Sequence, residues 1–153
     1  MVDYEDWRTT PGFFSYISSI WGPFTIDRFA SHINTKLPRF NSVFWNPGTE
    51  HIDCFSVDWS KENNWLVPPV SLIGKCLRYI VECKAKGTLI VPKWPSSYFW
   101  PLLFSGQNFK HFILEVLEFH KANQVFEQGM NRNSIFGTKI TSSSVLAIRF
   151  DSS

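Results

Sequence analysis

The sequence predicts an α/β fold built on a mostly parallel sheet with flanking helices, and three observations predict it. Hydrophobic strands and amphipathic stretches alternate along the chain, as in βαβ units rather than hairpins. From Asn64 to Val91 the order is strand, Pro68-Pro69, helix, Gly87, strand, which reads as a right-handed crossover between parallel neighbours. Two short strands, Phe24–Asp27 and Trp65–Val67, end in unusual ways, the first in an acid and the second in a Pro-Pro turn. Ligands of open α/β sheets gather at the carboxyl ends of strands, so these two ends are where the sequence places a site.

Each element follows from local chemistry. Thr10-Pro11 opens a helix, with Thr as N-cap and Pro at the first helical position. Phe13, Phe14, Ile17 and Ile20 form its apolar stripe, and Trp21-Gly22-Pro23 stops it. The stretch from Ser31 to Glu50 is rich in Asn, Pro and Thr; it reads as an irregular excursion holding a short strand at Val43–Trp45. Asp53 to Trp59 is a connector. Pro68-Pro69 ends the second strand because neither proline donates to a ladder. Ser71 is the expected cap of the strongest helix, whose Leu72, Ile73, Cys76, Leu77, Ile80 and Val81 share one face. Gly87 sits where a left-handed residue closes a helix. Thr88–Val91 is a strand stopped by Pro92, and Tyr98–Phe104 a short helix. Phe112–Phe119 and Val145–Phe150 close the sheet.

The 153 residues make one domain spanning 1–153. Aromatics reach 17% against only 18% charged residues, so some aromatic surface is expected to meet a partner. A net charge of +2 does not by itself demand nucleic-acid binding. Cys54, Cys76 and Cys83 show no metal spacing and suit a reducing compartment. His32, His51, His111 and His120 show none either, so no metal site is expected. No apolar run approaches the ~20 residues of a membrane span and no signal peptide is recognisable. The expectation is an intracellular protein, nuclear or cytoplasmic, without a membrane partner.

Several short runs recur together: Asp6-Trp7, Trp21-Gly22-Pro23, Asp27-Arg28-Phe29-Ala30-Ser31, Arg39-Phe40-Asn41-Ser42, Asp58-Trp59, Asn63-Asn64-Trp65, Pro68-Pro69 and Phe99-Trp100-Pro101. From about Asp6 to Phe150 the combination resembles the domain lying between the RNase H region and the tyrosine recombinase of DIRS-type retroelement polyproteins. That domain is similar to phage-type DNA N6-adenine methyltransferases, which pair a Trp and Thr-Pro helix start with F-x-x-D-x-x-A-S and then N-P-P-Y. Here Trp7 with Thr10-Pro11, then Phe24, Asp27, Ala30 and Ser31, then Pro68-Pro69 fall on those patterns.

The resemblance implies a compact Rossmann-like, methyltransferase-type sheet and S-adenosylmethionine as cofactor. Asp27 would hold the cofactor's ribose or amino group, with Trp7, Thr10, Ala30 and Ser31 around it; the plainer reading of Asp27 is a cap on the turn that follows. No glycine-rich loop follows this strand, so a phosphate-type cradle is not supported. Pro68 and Pro69 would be the catalytic turn. In the methylating family an Asn or Asp before the prolines and the backbone carbonyl between them accept from the adenine amino group, and a Tyr or Phe after them stacks on the flipped base. Val67 and Val70 stand there and can do neither, which removes several kcal/mol of transition-state stabilisation. Asn63 and Asn64 come too early to substitute.

Trp94, Trp100 and Arg132 are candidate nucleic-acid contacts, through base stacking and phosphate. Packing over the sheet edge is the plainer role for the tryptophans, and a solvated hairpin for Arg132. The leading expectation is a methyltransferase-like domain with impaired catalysis, acting on nucleic acid, DNA in particular, or beside neighbouring RNase H and recombinase domains. The alternatives are an active DNA N6-adenine methyltransferase and a structural spacer.

Overall fold

The structure is a computed structural model that describes residues 8–31, 33–121, 125–127 and 143–153. A two-residue strand, β1 (Arg8–Thr9), leads into helix α1 (Pro11–Trp21). The Phe13 amide donates to Thr10 Oγ1 at 3.2 Å, so Thr10 is the cap that the Thr-Pro pair predicts. Phe13 and Ile17 are buried, whereas Ile20 is exposed, so the apolar stripe is shorter than its spacing suggests. Strand β2 (Ile26–Asp27) follows.

The chain then makes a long irregular excursion holding one 3-10 turn, Cys54–Ser56, before β3 (Asn63–Leu66). The expected strand at Val43–Trp45 is absent. Phe44 and Trp45 are 73% and 71% exposed, and pairing in this stretch comes from isolated bridges, Asp27 with Phe40 and Asn41 with His51.

After Pro68-Pro69 a 3-10 turn (Val70–Leu72) feeds α2 (Ile73–Cys83). Leu72, not Ser71, holds the cap position, and its side chain makes no capping hydrogen bond. Its stop also differs from expectation. Lys84 takes the left-handed conformation at φ 56°, and its amide reaches back to the Ile80 and Val81 carbonyls. Gly87 lies instead inside β4 (Lys86–Pro92). A side chain there would run into the Asn64 backbone of β3, so glycine is needed for close strand approach.

Helix α3 (Trp100–Leu103), β5 (Phe104–Ser105), β6 (Asn108–Phe109), β7 (Ile113–Phe119), β8 (Phe126–Glu127) and β9 (Val145–Asp151) complete the described chain. The main sheet has the order β2-β3-β4-β9-β7.

The expected mostly parallel, Rossmann-like sheet with flanking helices is overturned. Among the described strands only β2–β3 and β3–β4 pair in parallel, besides the two isolated parallel bridges. The β4–β9, β7–β9, β1–β8 and β5–β6 pairs are antiparallel. The sheet is mixed, and helices are few. Two physical reasons account for the difference. Among the described residues the Asn- and Pro-containing β2-to-β3 connection forms no α-helix, so α2 is the one helical crossover between parallel strands there. Strand β9, seven residues long, inserts between β4 and β7 and runs against both.

Each sheet face has its own core. Ile73, Cys76, Leu77 and Ile80 of α2 pack with Leu66, Leu89, Val91, Leu146 and Ile148. Phe13 and Ile17 of α1 pack with Trp65, Ile90, Val145 and Ala147 on the other face. The alternation in β9 sends Val145 and Ala147 one way and Leu146, Ile148 and Phe150 the other. Each fully buried apolar side chain contributes roughly 1.5–3 kcal/mol.

Candidate functional site

The parallel half of the sheet builds the site. Asp27 stands opposite Trp65 in register, and Trp65 opposite Thr88. Asp27 and the Pro68 that follows β3 therefore lie at the same carboxyl edge of neighbouring parallel strands.

Asp27 is buried. Its Oδ2 accepts from the Lys36 amide at 3.2 Å, while Oδ1 is buried without a hydrogen-bond partner among the described residues. Burial pushes the carboxyl up to about 6, against the Lys36 and Phe29 amides, which favour its charged form. A small cleft of about 20 Å³ beside it is bounded by Thr9, Phe29, Lys36, Trp65 and Val67.

The other residues singled out have local tasks. Thr10 caps α1. Ser31 Oγ accepts from the Ile33 and Asn34 amides, and its own amide donates to Asn34 Oδ1. The Ala30 amide donates to the Asn41 carbonyl and the Arg28 amide to that of Trp65, so these amides after β2 are engaged inside the fold. Trp7 and Arg132 lie outside the described residues. Trp94 is half-buried, touches both cores, and donates from Nε1 to Ser143 Oγ at 2.7 Å. Trp100 stacks on Phe104 at 6.2 Å and meets the edge of Phe109.

The turn after β3 supplies apolar groups. Pro68 is buried, and Val67 and Val70 are half-buried. Asn63 Nδ2 donates to the Trp21 and Pro23 carbonyls. Asn64, 0% exposed, accepts from Arg28 Nε and donates to the Trp59, Glu62 and Lys86 carbonyls. Neither amide reaches forward to the prolines. Tyr98, whose hydroxyl donates to the Val70 carbonyl and accepts from the Gly74 amide, fastens the 3-10 turn to α2.

A polar group behind β2 was not singled out in the sequence. Arg28, 3% exposed, donates from Nε to Asn64 Oδ1 and from Nη1 to Asn41 Oδ1, both at 2.8 Å, and lies over the Trp59 ring at 5.7 Å. The signal available was strand alternation: with Asp27 on one face, Arg28 must enter the other.

A family model described as DNA N-6-adenine-methyltransferase (Dam) matches residues 2–126, a span that includes Asp27 and Pro68-Pro69 and ends before β9. The match defines the chain as a methyltransferase-like domain. The chain belongs to the DNA N-6-adenine-methyltransferase (Dam) family. No curated protein matches it.

S-adenosylmethionine, the cofactor that such a family implies, meets the described residues at one point. The orphan Oδ1 of Asp27 suits a hydroxyl or amino donor. The space does not suit the rest: sites for ligands of this size run to about 300 Å³ or more, and the Asp27 cleft holds about 20 Å³. Among the described residues no cluster of His, Cys, Asp and Glu could hold a metal. No helix among them is long and apolar enough to cross a membrane.

Proposed function

We propose that this chain is a methyltransferase-like domain whose methyl-transfer chemistry is impaired, serving a nucleic-acid or polyprotein role in a retroelement context. One observation carries the reading. The turn that should grip adenine is flanked by Val67 and Val70, and the nearest amide, Asn64, is fully buried with its oxygen and nitrogen engaged behind the sheet. With the side-chain acceptor gone and only a backbone carbonyl left at the turn, nitrogen electron density is raised less for attack, and without an aromatic face the flipped base has no platform. DNA is the nucleic acid that the family description favours. Neighbouring RNase H and recombinase domains follow from the resemblance to DIRS-type polyproteins. The test is tritiated methyl incorporation into single- and double-stranded DNA by the purified chain. No incorporation above background is expected, and incorporation lost in Asp27→Ala overturns the reading.

The second reading, an active DNA N6-adenine methyltransferase, is favoured by the orphan oxygen of Asp27, a polar fixture maintained at an energetic cost. Calorimetry with S-adenosylmethionine separates it from a structural spacer, which binds no cofactor.

A further inference from the structure

On the α2 side of the sheet, away from Asp27, a cleft of about 170 Å³ opens between the excursion and the start of α2. Arg28 lines its floor, Phe29, Phe55 and Leu72 its apolar walls, and Lys75 its rim. Among the described residues, neither cation has a carboxylate within ion-pair distance: the nearby Glu50 and Glu62 are both held by Arg39. Arg28 bonds two neutral amide oxygens, which leaves three of its five N–H donors without a protein acceptor. Burying a cation this way is costly unless something neutralises it. Lys75 Nζ sits 4.4 Å from the centre of the Phe55 ring, which orients it over the apolar wall. Asp53 is the acid on the cleft, and its Oδ1 accepts from the Phe55 amide. Burial pushes the Cys54 thiol up to about 12, so it stays neutral. Glu50 and Glu62 with Arg39 form a cluster of net negative charge that acts on Arg28 from a distance. What the cleft offers an occupant is therefore the directed N–H donors of Arg28 and Lys75 rather than a net excess of charge.

We propose that this cleft binds an aromatic monoanion, a single flat ring bearing a carboxylate-type group, with the anion against Arg28 and Lys75 and the ring between Phe29, Phe55 and Leu72. The size fits, because a cavity of about 150 Å³ accepts benzene. The mouth is open at Val43 and Ile52, both about half exposed, so an occupant enters without unfolding the core. The site does not rest on the methyltransferase reading, although Phe29 also bounds the Asp27 cleft.

The experiment is a titration of the whole chain, followed by amide chemical shifts in NMR, with benzoate, the neutral benzamide, and inorganic phosphate. Benzoate is expected to bind near the millimolar range, benzamide about tenfold or more weaker, and phosphate weaker than benzoate because it lacks the ring. Shifts should centre on Cys54, Leu72 and Lys75. Lys75→Ala, an exposed change, should weaken benzoate several-fold; Val43→Trp, which plugs the mouth, should abolish binding. Equal affinity for benzamide and benzoate, absence of saturable shifts with benzoate, or binding unchanged in Val43→Trp each overturns the proposal.

Discussion

Replacing Asp27 by Asn removes a titrating carboxyl from the end of β2 while keeping its shape. In the folded protein this carboxyl titrates at about 6, compared with 3.8 ordinarily, because burial penalises its charged form. A folded-state value above the unfolded one means that the folded protein holds the proton more tightly. The stabilisation is therefore complete below about pH 4 and is lost as the pH rises through about 6. A difference of about 2 pH units is worth about 3 kcal/mol. Asn does not titrate, and its own costs, such as an amide nitrogen placed where Oδ1 has no partner, do not vary with pH. Urea unfolding of both proteins at pH 4, 5, 6 and 7 isolates the carboxyl. The stability of Asp27→Asn relative to the parent should rise by about 2–2.5 kcal/mol between pH 4 and 7. That is most of the full value, since the unfolded group is already about half titrated at pH 4. A difference that stays constant with pH would show that the carboxyl is not held in its neutral form, and the reasoning about the orphan oxygen would fail.

Three further substitutions test the frame around the site. Gly87→Ala drives a methyl into the Asn64 backbone where β3 and β4 meet, and should cost about 3 kcal/mol by chemical denaturation. Asn64→Ala strips a partner from the buried Arg28 and donors from three carbonyls; a loss of about 3–5 kcal/mol is expected, and a near-neutral result would mean that Arg28 is solvated. Thr10→Ala removes the cap of α1 and should lower stability by about 1 kcal/mol, with Thr10→Ser retaining most of it.

Much of the local structure was legible in the sequence because it depends on neighbours along the chain. Thr10-Pro11 specifies a helix start through one hydrogen bond and a fixed φ, and the spacing of Ile73, Cys76, Leu77 and Ile80 specifies which face of α2 is buried. Leu72, read onto the same face, lies instead in the preceding 3-10 turn, and Val81 is exposed. That Asp27 and Pro68-Pro69 each end a strand was also legible, from the acid and the prolines that stop the two apolar runs. The sheet as a whole was not legible. Alternation in Val145–Phe150 shows that two faces are covered, but it does not say which strands β9 pairs with or in which direction. Gly87 reads equally as a helix stop or as a point of close strand contact, and only the partner Asn64 decides. Arg28 was hidden for the same reason: its acceptors, Asn41 and Asn64, lie 13 and 36 residues away.

Whether Val67 and Val70 silence the chemistry is the central question, and the amount of N6-methyladenine formed in DNA addresses it most directly. Adenine-containing single- and double-stranded DNA is incubated with the chain and S-adenosylmethionine, digested to nucleosides and measured by mass spectrometry, with Asp27→Ala alongside. The account predicts N6-methyladenine at background for both proteins. Methylated adenine formed by the parent chain and absent with Asp27→Ala would contradict it.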